Sequence, residues 1–173
     1  INETLYMVFI STVFTVILGL TLGILLVITR EDNVLPNSNI YNSLSILINI
    51  TRSIPFVILM IFIIPFTRLV VGSSIGTNAA IVPLVVAAIP FFARLVEGSI
   101  LEVNPGVIEA GVSMGASPLE IVLKILIPEA MPSLVLNVTV TIINIIGYSA
   151  MAGAVGGGGL GYLAIGYGYH RFQ

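Results

Sequence analysis

Long apolar runs broken by isolated charges dominate this sequence. No Asp, Glu, Lys or Arg falls in Thr4–Thr29, Asn33–Thr51, Ser53–Thr67, Leu69–Ala93 or Ala130–Tyr169. A helix needs about 20 mostly apolar residues to cross a bilayer. The runs therefore predict an all-α, polytopic transmembrane helical bundle with four spans, near Thr4–Ile28, Ser53–Val71, Thr77–Leu101 and Pro128–Met151. Asn39–Thr51 reads as a short lead-in helix to the second span, and residues 1–173 as one transmembrane domain. Composition agrees, with 57% hydrophobic residues, 8% charged residues and a mean hydropathy of +1.14, well outside the soluble range. The opening residues Ile1 to Met7 hold no basic region and no small-residue cleavage site, so the first run reads as a retained helix. The chain opens without Met and stops at Gln173, and a fragment of a longer protein is expected.

Charge changes this picture in one place. Of the fourteen charged residues, seven lie between Arg94 and Glu129, in a chain that is otherwise almost wholly apolar. Within that stretch the local signals write two short helices. Asn104 is a natural N-cap with Pro105 at the first helical position, and Gly115 is placed to end the first helix in a left-handed conformation. Ser117, Pro118 and Glu120 then form a second start, with Ser and Glu spaced as a capping box. The expected product is a rigid elbow on which Ala110, Gly111 and Ala116 leave room for another protein to approach the backbone, rather than a loop lying on the headgroups.

The same residues resemble a known family. Glu109-Ala110-Gly111, then Gly115, then Ile125-Leu126-Ile127-Pro128 is similar to the cytoplasmic signature loop of ABC importer permeases, whose pattern is Glu-Ala-Ala, three residues, Gly, nine residues, Ile-x-Leu-Pro. Two positions depart, Gly111 for the second Ala and Ile127 for Leu, and both stay small or aliphatic. The resemblance implies the type I permease fold, with residues 104–128 as a coupling-helix segment that docks on a cytoplasmic ATPase through Glu109, Ala110, Gly111, Gly115, Ala116, Ser117, Pro118 and Leu119. Arg52-Ser53-Ile54-Pro55-Phe56, and Gly147 to Met151 through Gly159-Leu160-Gly161, resemble the methionine-uptake branch of these permeases. That branch implies an inner-membrane permease homodimer, two cytoplasmic ATP-binding subunits that carry ATP and Mg, an external substrate-binding lipoprotein, and a small amino acid, methionine, as substrate. Its members have five spans, and a final fifth span is missing here. No cofactor is expected in the chain itself.

Basic residues orient the four-span arrangement. Arg30, Arg52, Arg94 and Lys124 fall on one side and Arg68 and Arg171 on the other, which assigns the first group to the cytoplasm. The amino terminus and the glycine-rich stretch Gly153 to Gly168 are then outside. With Pro55 following it, Arg52 is expected to snorkel at the interface rather than to sit inside a helix as a functional charge.

In the fourth span Ser133, Asn137, Thr141, Asn144 and Tyr148 recur at helical intervals and make one stripe. Polar groups at bilayer depth seldom face lipid, because they lose water without replacement. Two readings stay open, hydrogen bonding to a neighbouring helix and lining a substrate route. The second makes Asn137, Thr141, Asn144, Tyr148, Ser149 and Met151 the candidate pathway residues.

Several short matches carry less. Gly156-x-Gly158-x-x-Gly161 fits the dinucleotide fingerprint as a string, but no strand of a βαβ unit precedes it. The phosphate-binding loop Gly-x-x-x-x-Gly-Lys-Ser/Thr is absent, so ATP hydrolysis must come from another polypeptide. Gly19-x-x-x-Gly23 is a close-packing signal in the first span. Ile165-Gly166-Tyr167-Gly168 echoes a potassium-channel filter without a following span. Gly72-Ser73-Ser74-Ile75-Gly76 echoes a serine-hydrolase elbow, with Ser74 and His170 on one side of the membrane and Asp32 on the other. A net charge of −2 spread over loops argues against nucleic acid, and zero cysteines exclude disulfides, Cys-ligated zinc and thiol catalysis within the chain.

Overall fold

The computed structural model describes residues 1–31 and 33–169, and all regular structure among them is helical. Three helices are long and apolar enough to cross a membrane, α1 (Asn2–Thr29), α5 (Thr77–Leu101) and the one containing α8 (Ile127–Ala152). The fourth candidate crossing is a bent pair, α2 (Ser38–Ser53) and α3 (Phe56–Phe62), with α4 (Ile64–Val71) following it. The elbow follows α5 as α6 (Pro105–Ser113) and α7 (Pro118–Ile121), and α9 (Gly159–Leu163) follows α8.

Helix α5 is the hub, touching α1, α2, α3, α4 and α8. Its tightest neighbour is α1, and the reason is two missing side chains. A Cβ at Gly23 would sit 2.5 Å from Val96 Cβ and 2.8 Å from the Ala93 carbonyl oxygen, and one at Gly19 would sit 2.9 Å from Phe92 Cδ1. Lipid tails are as apolar as Leu, so helices in a bilayer associate through such close backbone approach rather than through the hydrophobic effect. The two helices run parallel, since Gly19 meets Phe92 and, one turn on, Gly23 meets Val96. Helix α8 runs antiparallel to α5, with Ser133 and Asn137 against Ser99 and Ile145 beside Ala88.

The bundle thus has two ends. At the glycine-rich end the Glu3 carboxylate accepts from Gly159 N at 2.7 Å, Thr4 Oγ1 accepts from Leu160 N at 2.9 Å, and Gly76 N donates to Gly156 O at 2.9 Å. At the elbow end one apolar cluster joins Val27 of α1, Val96 and Ile100 of α5, Ile121 of α7 and Leu126, Ala130 and Leu134 at the foot of α8.

The second span differs from the expected single helix over Ser53–Val71. Helix α2 turns by 106° into α3, because Pro55 drives Ile54 into an extended conformation (φ −82°, ψ 123°) and offers no N–H to the preceding turn. A second break falls at Ile63 (φ −92°, ψ 10°), two residues before Pro65 enters the first turn of α4. Helix α2 is also tied to α5. Tyr41 Oη donates to Glu97 Oε1 at 3.2 Å, Arg94 donates to Ser45 and to Asn49 Oδ1, and Arg52 lies over Phe91. From Tyr41 at Glu97, through Ser45 and Asn49 at Arg94, to Arg52 at Phe91, α2 runs antiparallel along α5 and leads into the crossing.

The α1–α5 seam sets a stability prediction. Gly23→Leu overpacks it at a cost of about 1–3 kcal/mol and is expected to lower the thermal midpoint of the detergent-solubilised protein. At Gly98 an added Cβ meets nothing within 4 Å, so Gly98→Ala is expected to leave the midpoint unchanged or raise it. A parental midpoint for Gly23→Leu would show that the seam is loosely packed.

Candidate functional site

The elbow is held by its own caps. Asn104 Oδ1 accepts from Gly106 N at 2.9 Å, starting α6 at Pro105. The helix closes with Ala116 N donating to Gly111 O at 3.1 Å around Gly115, whose φ of +81° is a conformation that side chains with a Cβ rarely adopt. The capping box then forms in full, with Ser117 Oγ accepting from Glu120 N and the Glu120 carboxylate accepting from Ser117 N at 3.0 Å. Lys124 Nζ donates to the other Glu120 oxygen at 2.8 Å. From Val122 to Leu126 the helix widens, and Ile127 N reaches back five residues to Val122 O. Pro128 explains the widening, since it has no N–H for the Lys124 carbonyl and its ring would press on that oxygen.

Side-chain directions on the elbow divide the expected docking residues. Glu109, Ala110, Gly115, Ser117, Pro118 and Leu119 are exposed, while Ala116 is half-buried against the apolar cluster. Gly111 differs from expectation. It is buried, and a Cβ there would meet Ile125 Cδ1, so its smallness also serves packing inside the elbow. Beside the expected Leu119, at 67% exposure, the outward surface carries residues that the sequence reading passed over, Met114 at 81% exposure with Val112 and Leu123 also exposed. Their signal in the sequence was apolar identity within the one charged segment.

The polar stripe of α8 also divides. Asn137 Nδ2 donates to Ser99 Oγ at 2.6 Å and to Leu95 O at 3.2 Å, and Ser133 pairs with Ser99 at 2.9 Å. These bonds stitch α8 to α5. Thr141 is buried and donates to its own helix at Asn137 O, as buried Ser149 does at Ile146 O. Asn144 and Tyr148 are half-buried, and Met151 is exposed. Among the described residues the Asn144 side chain has no hydrogen bond. The Tyr148 ring stacks on Phe56, with centroids 4.6 Å apart and planes 3° from parallel.

That stack borders a cleft of about 130 Å³ which also includes Arg52 and Phe91. The Arg52 guanidinium carbon is 6.0 Å from the centre of the Phe91 ring, and Phe91 lies near the midpoint of α5. Arg52 therefore sits beside the middle turns of α5 and is exposed on this chain. A guanidinium at the centre of a span costs about 2.5–3.5 kcal/mol on insertion scales, which is why such groups face protein or water.

A sequence profile for the family described as "Binding-protein-dependent transport system inner membrane component" matches residues 16–168. The chain belongs to this family. It is 55% identical over 169 residues to the probable D-methionine transport system permease protein MetI of Pasteurella multocida (strain Pm70), covering 98% of this chain and 78% of that one. It is 53% identical over 151 residues to the D-methionine transport system permease protein MetI of Escherichia coli (strain K12), covering 87% and 70%. Among solved structures, an inward-facing conformation of the MetNI methionine ABC transporter superposes with a TM-score of 0.97 at 52% identity, covering 99% of this chain and 79% of that one. An amino acid ABC transporter shares the fold at 20% identity, with a TM-score of 0.78 and coverage of 100% and 78%.

The permease is thus a multi-pass inner-membrane component of an ABC transporter and is not itself an enzyme. Neither rival reading gains support. Ile165 to Gly168 lie in a wide helical turn, Ala164–Tyr169, instead of an extended filter. Ser74 is half-buried in the loop before α5, and His170 and Asp32 lie outside the described residues. The capping box predicts local behaviour of the elbow. Ser117→Ala is expected to cost it about 1 kcal/mol, read as faster hydrogen exchange at Glu120 and Ile121 with an unchanged thermal midpoint. Parental exchange rates would mean that the Lys124 pair and the Pro128 widening hold the turn without the cap.

Proposed function

We propose that this permease is the membrane-spanning subunit of an ATP-driven importer for methionine, working as a pair of identical copies. Two cytoplasmic subunits bind and hydrolyse ATP with Mg, and an external substrate-binding lipoprotein delivers the amino acid. The observation that carries this reading is the elbow within residues 104–128. It is stiffened by a complete capping box, exposes Met114 and Leu119, and is rooted in the apolar cluster shared by α1, α5 and α8. The names of the relatives at 53–55% identity support methionine as substrate.

The elbow is suited to transmit force because its outer face is free while its inner face is packed. Closure of the ATP-binding pair moves the elbows, and each elbow carries the feet of α5 and α8 with it. Energetically the ATP-bound partner must prefer one permease conformation, since a ligand that binds two states equally shifts nothing. Glu109, Ala110, Gly115, Ser117, Pro118 and Leu119 lie on the docking side, and Gly111 and Ala116 keep the elbow compact. Within the membrane, Asn144 and Tyr148 border the substrate route, Ser149 and Met151 continue it, and Asn137 and Thr141 hold the wall in place.

Docking is tested by purifying the tagged, full-length permease from its own membranes in mild detergent and identifying what accompanies it. A phosphate-binding-loop ATPase is expected with the parent. It should be reduced at least about tenfold with Met114→Glu plus Leu119→Glu, because two carboxylates would be desolvated in an apolar contact. Full recovery of the ATPase by that variant would remove the elbow face from docking. Uptake of labelled L- and D-methionine by the reconstituted complex tests the substrate. Asn144→Leu is expected to slow uptake without loss of the ATPase, and a parental rate would take Asn144 off the route.

A further inference from the structure

We propose that Arg52 receives the carboxylate of the amino acid as it crosses the membrane, with the aromatic walls of its cleft taking the side chain. This rests on the importer reading above. Two arginines lie a helical turn apart on the same α2–α5 seam, and they differ in one respect. The Arg94 fork is filled, donating to Glu97 at 2.6 Å, to the carbonyl and hydroxyl of Ser45 and to Asn49 Oδ1 at 3.1 Å. Arg52 follows on the face of α2 that carries Tyr41, Ser45, Ile48 and Asn49, yet among the described residues its guanidinium has no hydrogen bond or ion pair and lies over the Phe91 ring. Among the described residues the ion pairs are Arg94–Glu97 and Lys124–Glu120, and neither involves Arg52.

A guanidinium in the transmembrane bundle whose donors have no protein acceptor among the described residues is matched by a planar anion. Guanidinium binds carboxylate through two parallel N–H donors, and a ring beneath it holds its plane without occupying a donor. The cleft is open, so the donors are reachable, and its other walls are Phe56, Leu59, Ala87 and Tyr148. Parallel rings at Phe56 and Tyr148 give a polarizable surface suited to a thioether. The bend at Pro55 ends α2 beside the same cleft, where the Thr51 carbonyl accepts from Ile54 N and the negative end of the helix dipole favours an ammonium group. Carboxylate, ammonium and side chain of one α-amino acid thus find complementary groups around Arg52.

The test uses the complete complex in proteoliposomes, with uptake of labelled methionine and competition by methioninol, which lacks the carboxylate. Parental complex is expected to take up methionine and to discriminate strongly against methioninol. Arg52→Gln is expected to lower uptake about 10- to 100-fold, the range for a lost charged hydrogen bond, and to bring the two ligands to similar potency. Arg52→Lys, which keeps the charge but not the fork, is expected to raise KM about tenfold with kcat kept. Arg52→Gln with parental uptake, or with reduced uptake but undiminished discrimination, would overturn the proposal while leaving the importer reading intact. A parental KM for Arg52→Lys would overturn it equally, should the Gln variant fail to assemble. If the parental complex moves no amino acid, the importer reading fails and this proposal with it.

Discussion

The closeness of α1 to α5 is the constraint on which the rest of the bundle depends. In water, apolar helices would be pressed together by burial, but in a bilayer separated helices already have an apolar surrounding. What favours association is contact that lipid cannot match, and Gly19 and Gly23 create it by letting the α1 backbone meet Phe92, Ala93 and Val96 directly. With that flank of α5 closed, its remaining faces are committed to particular partners. Ser99 and Leu95 take Asn137 and Ser133 of α8, while Arg94 and Glu97 take Tyr41, Ser45 and Asn49 of α2. The Arg94–Glu97 pair is buried, Glu97 being 5% exposed, and its value lies in satisfying donors at depth more than in net stabilisation.

That arrangement also explains why the elbow can report to the interior. Ile121, Val122 and Leu126 belong to the same apolar cluster as Val27, Phe92, Val96 and Leu134. Packed interiors resist continuous deformation, so a displaced elbow shifts α5 and α8 together or not at all. The widened turn at Val122–Leu126 sits between the capped turn and the long helix, at the place where an applied displacement must pass. Its backbone is already relaxed from ideal helical bonding by Pro128, which makes it the natural point of adjustment.

Much of this was legible in the sequence because the physics behind it is local. Asn104, Gly115 and the Ser117–Glu120 box specify their turns within a few residues, and charge-free runs locate α1, α5 and α8. What the sequence did not yield depended on neighbours distant in the chain. Pro55 announces a break, but only packing against α5 decides that α2 climbs the bundle before the break. Gly111 is equally small whether it faces a partner or Ile125, and the choice is made by how α6 folds back on the following turn. Asn137 and Asn144 are alike as residues on a stripe, and only the location of Ser99 assigns the first to the seam.

Prolines place the irregular backbone of this chain where movement or recognition needs it. Pro55 bends the second crossing beside Arg52, Pro65 opens the helix after the next break, and Pro128 widens the turn above the elbow. Pro83 and Pro90 lie inside α5 yet leave it continuous, because α1, α2 and α8 surround it. Pro132 likewise lies inside α8 and leaves it continuous, so an internal proline does not by itself end a helix. In the second crossing the break comes where Ile54 takes an extended conformation before Pro55, and the 106° turn that results sets Arg52 beside the open cleft lined by Phe56 and Tyr148.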